Sequence, residues 1–317
     1  MDTQMTERFL DLGYRLQVLG VSMLVIIVFG GIAAGIGYVL FLFWKYRDRE
    51  KHSLETVLLQ IAVPRDNETK IDAAEQMFAS LHSIAHGGFW SFLKPKEHLS
   101  FEIVAKAEDI RFYVAVPKKL TDLVEKQIHG AYPGADIRQV DEYSIFSQNG
   151  KIEFAALCLK YSDYQPIRVF RDLPTDPLSS ISSVLAKMQP DEGAAIQILV
   201  QPAEGKWREA GRSYISKTKK DESNPEKASF KVDPKTLEAI EQKTGKPGFH
   251  VVIRCVVSSP TKEGARMHLD NLLACFSQFT SDHNHFTKVK TPLKHLFMVD
   301  FIYRYFPIMN IPFLKQY

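Results

Sequence analysis

A single stretch of the sequence restricts the fold of this chain more than any other, because residues 16–44 contain no charged side chain. At about 1.5 Å of rise per residue, a helix over this stretch is longer than the roughly 30 Å hydrocarbon core of a bilayer. Because lipid offers no partner for a bare peptide group, the run must satisfy its own backbone hydrogen bonds as a helix. We therefore predict one transmembrane helix over residues 16–44.

The charges on either side of this run predict its orientation. Residues 1–15 mix two arginines with three acidic residues, whereas four cationic residues follow the run closely: Lys45, Arg47, Arg49 and Lys51. Because cationic flanks favour the cytoplasmic side, we predict a single pass through the inner membrane, with residues 1–15 outside, a basic neck at residues 45–53 and a large cytoplasmic domain. A cleaved signal peptide is the alternative, but the leader is acidic, the run is long and no A-x-A site follows it.

The rest of the chain alternates between two hydrophobic periods. In residues 54–145, apolar residues recur with the periods of strand, helix, strand, strand, helix and strand, in that order. Residues 146–291 repeat this order, with an insertion at residues 205–248 that contains a capped helix at residues 233–243. The order is that of the split βαβ, or ferredoxin-like, arrangement, in which two helices pack on one face of an antiparallel sheet. We therefore predict an α+β protein with two ferredoxin-like units and antiparallel sheets.

Residues 292–317 form a tail that is rich in aromatic residues. Such a tail either packs back on the second unit, docks a partner, or is a linker that once led into another domain. The sequence leaves these alternatives open.

The sequence contains none of the motifs that identify a common catalytic centre. No G-x-x-x-x-G-K-[ST] phosphate loop, no H-E-x-x-H metal site and no G-x-S-x-G elbow occur. The three cysteines form no C-x-x-C pair, which fits buried thiols in a reducing compartment. We therefore predict that the chain is not an enzyme and holds no cofactor and no metal. An enzyme with an unrecognised site is an alternative, because a pocket of convergent ionisable groups is invisible in sequence.

The insertion concentrates positive charge near aromatic residues. Cationic side chains bind phosphates or anionic lipid headgroups, and neighbouring aromatic rings can stack on bases. Five acidic residues nearby dilute this charge, so a solvated polar face is the simpler interpretation. The candidate contact residues for nucleic acid or lipid are Lys206, Trp207, Arg208, Arg212, Lys217, Lys219 and Lys220.

Two glycines in the apolar run have the spacing of a helix contact. Gly31 and Gly35 form a small-xxx-small pair, which lets two helix backbones approach closely. Association of copies through this face would make the protein a homo-oligomer in the membrane. The alternative is that glycine is simply common in membrane helices.

Three longer stretches resemble a known group of membrane-proximal regions. They are AAEQMFASLHSI at residues 73–84, LSFEIVAKAEDIRFYVAVPKKLTDLVEKQIHGAYPGADIRQVDEY at residues 99–143, and DPLSSISSVLAKMQPDEGAAIQILVQP at residues 176–202. These stretches resemble the region that precedes the ATPase domain in coupling ATPases of conjugation and type IV secretion systems, in forms from Gram-positive and candidate-phylum bacteria. The resemblance implies a membrane-anchored platform for a motor that moves DNA or protein across the envelope.

This chain departs from that family because it carries no nucleotide-binding motif. We therefore expect the partner ATPase to be a separate polypeptide, and the resemblance transfers no catalytic residue. The first functional hypothesis is a membrane-anchored, non-catalytic platform component of a conjugative DNA-transfer or type IV secretion-like apparatus, which positions this ATPase. The second hypothesis is a membrane-tethered nucleic-acid-binding protein that acts on DNA through the basic residues of the insertion at 206–231.

Overall fold

The computed structural model describes residues 2–84, 95–107, 109–223, 232–289 and 293–307, with side chains described from residue 13 onward. The chain divides into two compact units, one built on the N-terminal helix up to Asp48 and one that begins at Arg49. Within the described residues, every strand belongs to the second unit.

The N-terminal unit is built on one continuous helix, α1, which spans Asp2–Lys45. Its large apolar side chains are exposed, such as Ile26 at 70% and Phe43 at 74%. An apolar surface of this kind is suited to lipid rather than to water. The chain therefore has, among its described residues, one helix that is long and apolar enough to cross a membrane, as the sequence predicts. Its orientation stays a prediction.

The second unit opens with a short helix and continues as an alternation of strands and helices. Helix α2 (Arg49–Leu54) is followed by β1 (Thr56–Ala62), α3 (Asp72–Leu81), β2 (Leu99–Lys106), β3 (Asp109–Pro117), α4 (Thr121–Ala131) and β4 (Asp136–Val140). The chain then forms β5 (Lys151–Leu159), α5 (Pro177–Leu185), β6 (Gly193–Pro202), α6 (Lys206–Glu222), α7 (Pro234–Gly245), β7 (Phe249–Ser259), α8 (Lys262–Cys275), β8 (Phe286–Lys288) and α9 (Lys294–Ile302). The mixed α+β class that the hydrophobic periods predict is confirmed.

The eight described strands form a single antiparallel sheet in the order β4-β1-β3-β2-β6-β7-β5-β8. The middle of this sheet is the pairing of β2 with β6, which runs from Leu99 opposite Val200 to Lys106 opposite Gly193. The prediction of two ferredoxin-like units with their own sheets is therefore wrong, because one continuous sheet takes their place. The physical reason is that β2 and β6 would be edge strands in separate units, and pairing them satisfies both rows of backbone groups.

Four helices cover one face of the sheet. α3 and α4 pack on the first half through side chains such as Leu81 and Val124. α5 and α8 pack on the second half through side chains such as Leu185 and Leu269. Each of these buried side chains contributes about 1.5 to 3 kcal/mol relative to an exposed one. This helical face is the main hydrophobic core of the domain.

The opposite face is covered by α9. Phe297 and Phe301 are 1% and 4% exposed and pack against the middle strands. Phe297 also stacks on Phe154 of β5, with 4.2 Å between the ring centroids. Residues 293–307 therefore pack back on the domain, which is the first of the alternatives that the sequence leaves open for the aromatic tail. Residues 308–317 lie outside the described part of the chain.

The insertion forms two helices that pack on each other, α6 and α7. The predicted helix at residues 233–243 is observed as α7, and the Asp233 side chain caps it by accepting a hydrogen bond from the backbone N–H of Lys235 at 3.1 Å. α6 is a helix of 17 residues that is not among the helices predicted from the sequence. At Gly211 of α6, a Cβ atom would lie 2.6 Å from the Thr244 side chain, so glycine is needed for this close helix contact.

Candidate functional site

A row of polar side chains crosses the middle of the sheet on the face that α9 covers. Glu102 of β2 lies opposite Gln197 of β6, which in turn lies opposite Arg254 of β7. All three residues are buried, at 2%, 1% and 0% exposed. The Nε2 of Gln197 donates to Oε1 of Glu102 at 3.0 Å, and its Oε1 accepts from Nη1 of Arg254 at 2.9 Å. Because an unpaired buried charge is strongly unfavourable, Glu102 requires a cation of its own.

Arg304, in the segment after α9, supplies this cation. Its Nε donates to Oε1 of Glu102 at 2.8 Å and its Nη2 donates to Oε2 at 3.2 Å. A second two-point contact joins it to the more exposed Glu142, at 2.9 and 2.8 Å. Burial by itself lowers the pKa of Arg304, but the carboxylates of Glu102 and Glu142 outweigh burial and hold the pKa above its usual range. Arg304 is therefore a permanent positive charge between two carboxylates.

The backbone of Arg304 is strained where these contacts form. Its φ is 53°, in the left-handed region that residues with a Cβ rarely adopt. Such a conformation is unfavourable by roughly 1 to 3 kcal/mol and persists only when surrounding contacts enforce it. Here the side chain is held by the carboxylates, and the carbonyl oxygen accepts a hydrogen bond from Nε2 of His98 at 2.8 Å. Both sides of the residue are thus fixed.

Further hydrogen bonds fasten the backbone of residues 300–306 to the sheet. Arg254 donates to the carbonyl oxygens of Asp300 and Tyr305 at 2.9 and 2.5 Å. Gln197 donates to the carbonyl oxygen of Phe301 at 3.0 Å. We refer to residues 300–306 as the C-terminal segment, and to the side chains that hold it as the polar lock, which comprises Glu102, Glu142, Gln197, Arg254 and Arg304.

The C-terminal segment also holds the neck helix α2. The guanidinium group of Arg49 lies over the ring of Tyr305, 3.6 Å from the centroid, and donates to the carbonyl oxygen of Phe306 at 3.0 Å. Ser53 Oγ donates to the carbonyl oxygen of Tyr303 at 2.6 Å. A cation over an aromatic ring contributes about 0.5 to 2 kcal/mol. Helix α2, the C-terminal segment and the centre of the sheet are therefore one connected structure.

Sequence reasoning missed the polar lock, although a signal for it exists. A single acidic, amide or basic residue interrupts each of the otherwise apolar runs at residues 101–105, 194–200 and 251–257. Buried glutamate and arginine residues are almost always paired, so such interruptions predict partners for one another. They do not predict that a residue in the distant C-terminal segment completes the pairing.

The structure places five of the six cationic candidates of the insertion on the solvent side of α6, whereas Arg208 is only partly exposed. The exposed candidates are Lys206, Arg212, Lys217, Lys219 and Lys220. They lie on a helix whose opposite side packs on α7 through Ile215. The structure therefore brings these charges together on one exposed surface, which we call the basic face of α6.

The aromatic candidates of the insertion are engaged inside the domain. The Trp207 ring lies against Gly248, where an added Cβ atom would come within 2.3 Å of it. Arg208 lies 5.6 Å from the Trp207 ring centroid. Tyr214 stacks on Tyr164, with 5.3 Å between centroids. These rings are therefore not arranged to stack bases in the described conformation.

The glycine pair of α1 lies on an open surface. A Cβ atom at Gly31 or at Gly35 would meet nothing within 4 Å. Around Gly35 the helix surface forms a shallow apolar hollow that also includes Ile32, Val39 and Phe43. The surface is accessible to a second helix, and self-association through it stays a prediction.

Two further observations concern chemistry in the described part of the chain. No group of three or more His, Cys, Asp or Glu side chains there could hold a metal ion. Burial raises the pKa of the Cys255 thiol to about 12, so this thiol stays protonated at neutral pH.

Removing the charge of Arg304 should destabilise the domain strongly. In Arg304→Met, the carboxyl group of Glu102, at 0% side-chain exposure, would lose the guanidinium group that binds it, which should lower the free energy of unfolding by about 3 to 5 kcal/mol. The double variant Glu102→Gln/Arg304→Met should lose less than the single variant, because the carboxyl group that lost its partner is replaced by a neutral amide. Denaturant unfolding of the detergent-solubilised chain measures both.

Lys126→Met is the matched control for this experiment, because it removes an exposed ion pair with Asp122. It should change the free energy of unfolding by less than about 1 kcal/mol. An Arg304→Met variant as stable as this control would show that the polar lock does not stabilise the fold.

The domain should lose stability in mild acid because of His98. Burial lowers the pKa of His98 from its ordinary value of 6.5 to about 4. Between these pH values the unfolded chain binds a proton that the folded domain does not, so the stabilisation is complete above about pH 6.5 and is lost as the pH falls towards 4. His98→Gln keeps an N–H donor but does not titrate. Its free energy of unfolding should therefore fall less over this range than that of the parent chain, and parallel pH profiles would contradict the prediction.

Several solved structures are similar to this chain at a low level. A glycopeptide hexose oxidase in complex with teicoplanin shares 10% identity and a TM-score of 0.32, over 73% of this chain and 44% of that chain. A variant of berberine bridge enzyme described as a reticuline dehydrogenase shares 9% identity and a TM-score of 0.28, over 72% and 42%. Aclacinomycin oxidoreductase shares 12% identity and a TM-score of 0.31, over 71% and 41%. The chain spans less than half the length of these proteins.

These structures contradict the prediction that the chain is not an enzyme, because each is named as an oxidase, a dehydrogenase or an oxidoreductase. That prediction is therefore withdrawn. At TM-scores near 0.3 the similarity carries no argument for a particular activity, substrate or cofactor in this chain.

Sequence families give a firmer result. No curated protein matches the sequence. One family model matches residues 47–296, a range that begins in the neck and ends within α9, and so includes every described strand. The chain therefore belongs to the DUF8128 family, which is defined by a domain of unknown function.

Proposed function

We propose that this protein is a membrane-anchored platform that positions a separately encoded ATPase in a conjugative DNA-transfer or type IV secretion-like apparatus. The observation that carries the proposal is the attachment of α2 to the C-terminal segment, and of that segment to the centre of the sheet. A platform needs such an attachment, because a domain on a flexible linker samples a wide volume and cannot hold a partner in one place.

The stretches that resemble the membrane-proximal region of coupling ATPases support this role. Residues 73–84 contain α3, residues 99–143 run from β2 to β4, and residues 176–202 contain α5 and β6. They are thus distributed over the central strands and the helical face instead of lining one cleft. A distribution of this kind is what a structural platform would share with its relatives.

The charges that follow α1 support a cytoplasmic position for the domain at the inner membrane, with the N-terminus outside. Contact between α1 helices through Gly31 and Gly35 would bring several copies together. In this proposal such an assembly surrounds or docks one motor, and the helical face of the sheet points to the partner.

We also infer that the single sheet consists of two ferredoxin-like halves joined edge to edge. Both halves have the element order β-α-β-β-α-β, apart from the inserted helices α6 and α7 in the second half. From the junction outward, the first half runs β2, β3, β1, β4, and the second runs β6, β7, β5, β8, so corresponding strands occupy corresponding places. The order within each half supports the split βαβ pattern.

Partner recovery from native membranes in mild detergent tests the platform role. The tagged chain should co-purify with a Walker-type ATPase or with another secretion component. The double variant Arg49→Ala/Ser53→Ala removes the neck contacts and should still recover the ATPase, while transfer of DNA or protein falls. Arg47→Ala is the matched control, because Arg47 is an exposed residue of the same neck. Recovery of neither an ATPase nor a secretion component would contradict the proposal.

Nucleic-acid binding is a second candidate function, favoured by the basic face of α6. Its exposed cations would bind phosphates, and release of counterions would make the binding strongly salt-dependent. Trp207 and Tyr214 are engaged within the domain. Affinity in this role would therefore come from phosphate contacts instead of base stacking.

Neutralising part of the basic face tests this second candidate. Replacing Arg212, Lys217, Lys219 and Lys220 by glutamine should weaken DNA binding and reduce the slope of log K against log salt by about 3 to 4, if each makes one phosphate contact. The control variant replaces four exposed lysines elsewhere on the domain, namely Lys118, Lys151, Lys262 and Lys288. Unchanged binding, or an equal loss in both variants, would reject a specific role for α6.

A further inference from the structure

Helix α9 exposes large apolar side chains on the side that faces away from the sheet, next to the exposed polar residues Lys294 and His295. Phe297 and Phe301 form the inner side. On the outer side, Leu296 and Ile302 are 56% and 53% exposed, and the partly exposed Val299 lies midway between them at helical spacing. Surface helices normally carry polar residues on the outer side. The outer side of α9 therefore combines exposed apolar side chains with polar ones, which is the composition of a helix at the boundary between apolar material and headgroups.

Helix α2 exposes another apolar side chain close to the end of α9. Ser53 donates a hydrogen bond to the carbonyl oxygen of Tyr303. Leu54, the residue after Ser53, is 71% exposed, and Ile302, the residue before Tyr303, is exposed as well. Exposed apolar side chains of α2 and of α9 thus flank the same hydrogen bond. We call Leu54, Leu296, Val299 and Ile302 the outer apolar face.

We propose that the outer apolar face rests on the surface of the lipid bilayer, with its side chains among the headgroups. The inference rests on the membrane anchoring proposed above. Residues 46–48 alone separate the end of α1 from the start of α2, and three residues extend over at most about 11 Å. The interfacial region of a bilayer is where an exposed apolar helix face next to a spanning helix gains burial.

The charge of the neck favours lipid over a second copy of the chain as the occupant of this face. Residues 45–52 contain four cationic and two acidic side chains, so their net charge is positive. Anionic headgroups attract such a segment. Two copies that met through the outer apolar face would bring two positive necks together, and this repulsion opposes self-association.

Lipid contact would give the domain a defined orientation at the membrane. A single spanning helix leaves an attached domain free to rotate and tilt, whereas a second contact through α9 removes that freedom. The polar lock contributes here, because it holds the C-terminal segment, and with it α9, against the sheet. The face is thereby presented on a rigid support.

Spin labels on the full-length chain in nanodiscs with anionic lipid test this proposal. The probe is Leu296→Cys, and the control is Met267→Cys, because Met267 of α8 is 54% exposed and lies on the helical side of the sheet. Ile26→Cys on α1, 70% exposed, reports whether the anchor itself is in lipid. Cys158 and Cys275 are replaced by serine in all three, and Cys255 is fully buried.

The experiment measures how often the spin label collides with oxygen and with a water-soluble nickel chelate. The ratio of the oxygen accessibility to the chelate accessibility rises with the depth of the label in lipid. We expect a severalfold higher ratio at position 296 than at position 267, with the highest ratio at position 26. A ratio at 296 equal to that at 267, together with a high ratio at 26, would overturn this inference and leave the anchor intact. A low ratio at position 26 would instead overturn the anchoring on which both proposals rest.

A photoreactive phenylalanine analogue at position 296 of the otherwise native chain gives a second measurement that needs no cysteine substitution. Crosslinks to lipid are expected. Crosslinks to a second copy of the chain, or to no molecule other than water, would overturn the proposal.

Discussion

The buried ion pair between Arg304 and Glu102 is the contact on which the rest of this structure depends. Glu102 lies in the middle of an eight-stranded sheet with its side chain removed from water, so its charge must be neutralised locally. The chain segment after α9 does so through the side chain of Arg304, where the backbone adopts a left-handed conformation. The strained backbone and the paired charge therefore belong to one arrangement.

This arrangement links three parts of the chain that are far apart in sequence. The polar lock fastens the C-terminal segment to β2, β6 and β7, and the same segment binds the neck through Tyr303, Tyr305 and Phe306. A displacement of α2 is thereby transmitted to the centre of the sheet without passing through a flexible linker. A platform that holds a partner at a membrane needs this mechanical continuity, and an apolar α9 surface on lipid would add a second point of support.

The two faces of the sheet have different roles in this picture. The helical face contains most of the apolar core. The basic face of α6 is exposed to solvent. Among the described residues, the other face is closed by the short helix α9, by side chains after β4 such as Ile145 and by a polar network, so its closure depends on few and specific contacts. Substitutions in the helical face should act mainly through packing, whereas those in the polar lock should also affect the attachment of the neck.

The sequence by itself determined the local elements: the long apolar helix, the order of strands and helices, and the capped helix at residues 233–243. These depend on hydrophobic period and on neighbours within a few residues. Only the tertiary structure decided that β2 and β6 pair into one sheet, that Trp207 packs inward, and that Arg304 neutralises Glu102. The physical reason is that edge pairing and charge compensation join residues far apart in the chain, about 200 positions for Arg304 and Glu102, and a local pattern contains no information on which distant partner will meet it.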